Sequence, residues 1–148
     1  MSFEFIPEDK VLIASVSIPV RFSEVDSMGI VWHGNYLQYL EIAREQFGRQ
    51  HNLGYLDIYA MGYQVPLIDL NIQYKWKLQY GDTVIVNATY KYVEGAKIVF
   101  DYKMTLVDSE RVIATATTTQ VFLDMEGNLM LIKPTFYEEW QRKNGFIS

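Results

Sequence analysis

Apolar and polar residues alternate from residue 11 to 23. Leu12, Ala14, Val16, Ile18, Val20 and Phe22 fall on one face, and Ser15, Ser17, Pro19, Arg21 and Ser23 on the other. This is the period of a half-buried strand. Pro19 has no N–H to give a ladder, which places the strand at a sheet edge, at a bulge, or with that position turned outward. From Tyr36 to about Asn52 the period becomes helical, with Tyr36, Leu40, Ala43 and Phe47 on one stripe and Gln38, Glu41, Glu45 and Arg49 on another. Leu37, Tyr39 and Ile42 widen the apolar part, so the helix is expected to be covered over most of its circumference, as by a curved sheet. Glu45 and Arg49 stand as an i,i+4 pair, Gly54 reads as the stop, and the helix should be roughly 26 Å long at about 1.5 Å per residue.

A short helical turn is expected over 55–61, before Gly62. Ile68, Leu70, Ile72, Tyr74, Trp76, Leu78 and Tyr80 then alternate with polar residues up to a Gly81-Asp82 turn. Three further strands, 83–93, 97–107 and 111–123, form a meander with turns at Glu94-Gly95 and Asp108 to Glu110. The alternation blurs at Thr117 to Gln120, the mark of a bulge. Asp124 to Asn128 reads as a turn, Leu129 to Ile132 as a short strand, and Thr135-x-x-Glu138 as the capped start of a C-terminal helix. One covered helix followed by an antiparallel meander is an α+β arrangement.

Between the first strand and the long helix lies Arg21 to Tyr36. Asn35 is placed to cap the helix, and Gln38 completes a capping-box pattern. Asp26 sits in the connecting loop, with Gly29 after it. A helix start leaves backbone N–H groups without internal partners, so the amides from His33 to Tyr36 can hold a developing oxyanion beside that carboxylate. An aspartate in a turn before a helix is also an ordinary Asx-turn or capping residue, and this structural role stands beside the chemical one.

Composition narrows the chemistry. At 148 residues the chain fits one domain. It contains no cysteine and two histidines, His33 and His51, which removes thiolate chemistry and makes a metal site unexpected. A net charge of −5 with pI near 5.0 argues against nucleic acid as a partner. No apolar run is long enough to cross a bilayer, and Met1 to Lys10 shows neither a basic start nor a secretory core, so no membrane association and a cytoplasmic location are expected.

Asp26-x-x-Gly29-Ile30-Val31, His33-x-Asn35-Tyr36, then Tyr39, Glu41, Ala43 and Arg44, resembles the hotdog-fold acyl-CoA thioesterases of the 4-hydroxybenzoyl-CoA thioesterase type, over nearly the whole chain. The resemblance implies a hotdog fold, an antiparallel sheet wrapped around one long central helix, with residues 1–148 as a single domain. It implies hydrolysis of an acyl-CoA or acyl carrier protein thioester with no cofactor. In this reading Asp26 attacks the carbonyl or activates water, and the His33 N–H polarises the carbonyl. Gly29 lets the loop pass close to the thioester, and Asn35 and Tyr36 border the acyl pocket. A homodimer or homotetramer is implied as well. Glu41 is the second candidate carboxylate, though it can equally pair with Arg44 at i,i+3. Lys75, Lys77, Lys91, Lys97, Lys103 and Arg111 are candidates for the phosphates of coenzyme A, against the plainer role of a solvated strand face. A non-catalytic acyl-CoA-binding domain and a hotdog hydratase or dehydratase are the rival functions, and fold alone does not separate them. A thiolate leaves readily, so hydrolysis needs little beyond a carboxylate and oxyanion donors.

Overall fold

The computed structural model describes residues 11–148; the expectation about the first ten residues lies outside them. In chain order the elements are β1 (Ile13–Pro19), α1 (Tyr36–His51), α2 (Tyr55–Ala60), β2 (Tyr63–Gln64), β3 (Leu67–Tyr74), β4 (Thr83–Lys91), β5 (Lys97–Leu106), β6 (Val112–Val121), β7 (Leu123–Asp124) and α3 (Thr135–Lys143). Five strands form one antiparallel sheet in the order β1-β4-β5-β6-β3, and β2 pairs with β7 apart from it. Antiparallel strands with α1 laid on one face make the hotdog architecture expected from the loop and helix.

The sheet buries alternate residues against α1. Val84, Val86 and Ala88 of β4, Ile98, Phe100, Tyr102 and Met104 of β5, and Ala14 and Ile18 of β1 meet Tyr36, Tyr39, Leu40, Ala43 and Phe47 of α1 in one core. At roughly 25 cal/mol per Å² of apolar surface, this burial is the main force holding helix to sheet. Beyond the helix, Trp140 and Phe146 extend the core from the C-terminal side, and Trp140 Nε1 donates to the His51 carbonyl at 2.7 Å. Pro19 closes β1, which among the described residues pairs only with β4, so the proline lies on an edge strand of that sheet.

Several local expectations need correction. The first strand stops at Pro19; Phe22 to Glu24 form a 3-10 turn, and Phe22 is 76% exposed instead of buried. The strand expected to reach Tyr80 leaves the sheet after Tyr74, because Lys75 and Trp76 N–H groups both turn to the Ile113 carbonyl. α1 is stopped by Asn52 in the left-handed region (φ 59°), whereas Gly54 begins α2. Gly54 is fixed by contact: a Cβ on Gly48 would lie 2.5 Å from its Cα, so the two glycines let helix and loop touch. α3 starts at Thr135 without a side-chain cap, its N-cap being Pro134, and Leu129 to Ile132 contributes only an isolated bridge, Leu123 to Leu129. The irregularity near Thr117 to Gln120 is real, but the extra residue is on the partner strand, between Leu67 and Asp69 of β3.

Candidate active site

Residues 21–36 are folded by their own backbone. The Asp26 N–H donates to the Ile30 carbonyl at 2.8 Å and the Gly29 N–H to the Asp26 carbonyl at 3.0 Å, while Val25 and Val31 bridge behind them. This closed turn needs a residue at φ +77°, and Gly29 supplies it. The Asp26 carboxylate turns back over the loop, its Oδ1 accepting from the N–H groups of Met28 (2.8 Å) and Ile30 (3.2 Å). Asp26 is exposed, and no hydrogen bond to its Oδ2 occurs among the described residues. Outside the turn, Val31 donates to Leu78 and Tyr80 to Gly29, at 2.8 and 2.9 Å, which staples the loop to the segment following β3.

The helix start is built differently from its sequence pattern. His33 to Asn35 form a 3-10 turn, and Asn35 has helical dihedrals with no side-chain cap, so the capping box does not form. Its Nδ2 instead donates to the Glu24 carbonyl at 2.8 Å, which also accepts the Trp32 N–H at 3.2 Å. Glu24 is 5% exposed; its Oε1 accepts the Arg21 N–H (2.7 Å) and the Tyr39 hydroxyl (3.0 Å), with the Arg21 guanidinium 3.6 Å from Oε2. Burial and the Glu24 carboxylate push Tyr39 well above a phenol's usual pKa, so its proton stays in place as donor. Glu24 thus holds the Asp26 loop to α1 through its main chain at Asn35 and its side chain at Tyr39. Sequence periodicity missed this residue, because it lies just past the alternating run of 11–23 and nothing in the pattern there announces a buried acid.

The His33 and Gly34 N–H groups have no hydrogen-bond partner among the described residues. The His33 carbonyl accepts the Tyr74 hydroxyl at 3.0 Å, tying the helix start to the end of β3. The Trp32 ring lies so close over Gly34 that a Cβ there would come within 2.2 Å of it. Tyr36 is buried, its ring edge-on to Tyr74 at 4.9 Å, and burial raises its pKa to about 12. Asp26, Gly29, His33, Asn35 and Tyr36 are therefore parts of one hydrogen-bonded unit.

Glu41 does not belong to that unit. It is exposed on α1 and makes no ion pair with Arg44, which is buried and donates to the Leu53 carbonyl and Gln120 instead. Of the basic candidates, Lys75, Lys77 and Arg111 lie at the loop's end of the sheet, with Arg111 stacked 4.1 Å from the Trp76 ring centroid. Lys91 and Lys97 lie at the other end, where the Lys97 carbonyl accepts the Tyr137 hydroxyl, and Lys103 lies mid-strand on β5. Among the described residues no helix is long and apolar enough to cross a membrane, and no group of three or more His, Asp or Glu side chains could hold a metal ion.

A sheet backed by one long helix, with an exposed carboxylate and unpartnered amides at the helix start, defines a class of small α+β proteins. Comparison with known proteins specifies it. A model of the thioesterase-like superfamily matches residues 20–143. The chain is 34% identical over 114 residues, 77% of its length and 82% of the relative's, to YneP of Bacillus subtilis (strain 168), provisionally named an acyl-CoA thioesterase. The DHNA-CoA thioesterase of Staphylococcus aureus superposes with a TM-score of 0.79 at 24% identity, over 88% of this chain and 89% of that one. A variant 4-hydroxybenzoyl-CoA thioesterase in complex with 4-hydroxybenzoyl-CoA does so with a TM-score of 0.75 at 19% identity, over 87% and 98%. The chain belongs to the thioesterase-like superfamily, as a hotdog-fold acyl-CoA thioesterase.

Proposed function

We propose that this enzyme hydrolyses its acyl-CoA thioester at the loop joining β1 to α1, with Asp26 as nucleophile or general base and the His33 N–H as oxyanion donor. The observation that carries this reading is the pairing, in one hydrogen-bonded unit, of an exposed carboxylate with two unpartnered amides. Two N–H donors on Oδ1 fix the carboxylate's orientation and leave Oδ2 for the substrate carbonyl or a water. As the carbonyl becomes tetrahedral, negative charge develops on its oxygen, where preorganised N–H donors act most strongly. The thiolate leaves without a strong general acid. Gly29 keeps the loop clear of a side chain, and Asn35 and Tyr36 border the acyl group. Lys75, Lys77 and Arg111, at the same end of the sheet, are the cations best placed for the coenzyme A phosphates.

The Oδ1 hydrogen bonds also describe an ordinary Asx-turn, which asparagine satisfies equally well. The variant Asp26→Asn therefore separates the two roles. The expected outcome is a folded protein whose kcat falls by roughly two to four decades with KM little changed, the range of a lost general base. Glu41→Gln should retain turnover within a few fold. Near-wild-type turnover by folded Asp26→Asn at saturating acyl-CoA would overturn the assignment.

A further inference from the structure

Arg44 is a charged residue on the buried face of α1, 2% exposed. Its Nε donates to Gln120 Oε1 at 3.1 Å and its Nη1 to the Leu53 carbonyl at 2.9 Å, while the Tyr55 and Phe100 rings lie over the guanidinium at 5.1 and 4.8 Å. All of these partners are neutral. Nη2 is buried and has no hydrogen-bond partner among the described residues. The ion pairs of the described residues are Arg21 with Glu24, Glu45 with Arg49, and Glu138 with Arg142, so no carboxylate stands within ion-pairing distance of Arg44. A buried cation without a counter-charge, carrying an orphaned donor, is among the costliest arrangements a core can hold.

Arg44 lines a pocket of about 40 Å³ between α1 and β6, with Leu37, Leu40, Glu41, Tyr55, Tyr102 and Gln120 around it. That volume exceeds the need of a single water. Glu41 is the one carboxylate of this lining, and it is exposed to solvent. Apart from Glu41, the pocket's polar lining is rich in donors. The Tyr55 hydroxyl accepts from Gln120 Nε2 at 3.3 Å and the Tyr102 hydroxyl from Thr118 Oγ1 at 3.5 Å, which leaves both phenolic protons free to be given. Burial raises Tyr102 to about 12, so it remains a donor at neutral pH. A cation with two phenols beside it matches a group that only accepts and carries negative charge, which is a carboxylate.

We propose that this pocket is the distal end of the acyl site and binds the terminal carboxylate of an ω-carboxyacyl thioester, Arg44 Nη2 supplying the charge and the Tyr55 and Tyr102 hydroxyls the further donors. The inference rests on the thioesterase reading above for the position of the thioester end. Leu37 starts the pocket wall in the first turn of α1, and Arg44 stands eleven positions after His33. At about 1.5 Å per residue that is roughly 16 Å along the helix, the reach of an extended chain and beyond that of one aromatic ring.

The test uses pairs of non-hydrolysable thioether analogues of acyl-CoA, equal in carbon number, ending in methyl or in carboxylate, titrated calorimetrically into the full-length protein over a series of chain lengths. The expected result is at least tenfold tighter binding of the carboxylate form at one chain length. Arg44→Met should abolish that difference while leaving the methyl analogue within a few fold. Should Arg44→Met fail to fold, Tyr55→Phe, at a half-exposed position, should reduce the difference severalfold. Equal binding of the two forms at every length, or binding of neither, overturns the inference. Carboxylate preference in binding without hydrolysis of any parent thioester would instead refute the thioesterase reading and leave the pocket assignment standing.

Discussion

The carboxylate of Glu24 is buried and the carboxylate of Asp26 is exposed, two residues apart, and that contrast organises the site. Glu24 is satisfied by Arg21 and Tyr39, so its charge is committed to structure, whereas Asp26 keeps an oxygen toward solvent. Tyr39→Phe removes one donor from a buried carboxylate and should cost about 1–3 kcal/mol. Glu24→Gln keeps an acceptor for the same tyrosine and should cost less. Urea denaturation of the two variants checks the order, and a larger loss for Glu24→Gln would contradict it. Asp26, Gly29 and His33 were legible as a unit because turn chemistry and a helix start are local signals. Glu24 and Arg44 were not, since nothing local announces that a charged residue will be buried. Asn35 read as a cap because the pattern fits one, yet a carbonyl eleven residues earlier competes for its amide and wins.

Among the elements, the meander and the central helix follow directly from periods of two and 3.6, and their cores match the apolar stripes. β3 is the exception. Its residues alternate as a half-buried strand should, but seven of the eight are exposed and one of its edges pairs with nothing among the described residues. Leu67, Ile68, Leu70 and Tyr74 lie open together with Trp76 just beyond. The alternation past Tyr74 misled because residues 75–80 leave the sheet and serve another purpose: they carry the Leu78 and Tyr80 groups that hold the Asp26 loop. A long apolar edge invites pairing with a second copy. Light scattering should give at least twice 17.3 kDa, and Leu70→Lys should shift the protein toward monomer. A wild-type monomer at working concentration would refute this assembly.

For the molecule as a whole, tyrosines are the buried titratable groups that matter. Burial raises Tyr36 and Tyr102 to about 12 and moves Tyr90 and Tyr137 upward too. Below pH 10 these phenols are protonated whether the chain is folded or not, and their contribution is intact. Between pH 10 and 12 the unfolded chain gives up protons that the folded one retains, so stability must fall as pH rises. Each tyrosine held this way contributes a slope of up to ~1.4 kcal/mol per pH unit. Urea midpoints from pH 9 to 12 should therefore drop more steeply than one tyrosine allows, and a flat profile would mean these phenols ionise as readily inside the fold as outside it.

The hydrogen bonds from Val31 to Leu78 and from Tyr80 to Gly29 also set a timetable. The turn around Asp26 can close on itself early, being only a few residues long. Its outer staple joins groups about fifty residues apart, and β1 beside it waits for β4. Ordering so long an intervening stretch carries a loop-closure entropy that slows folding. On the ribosome, the Asp26 loop therefore remains half-built until residue 80 has left the exit tunnel.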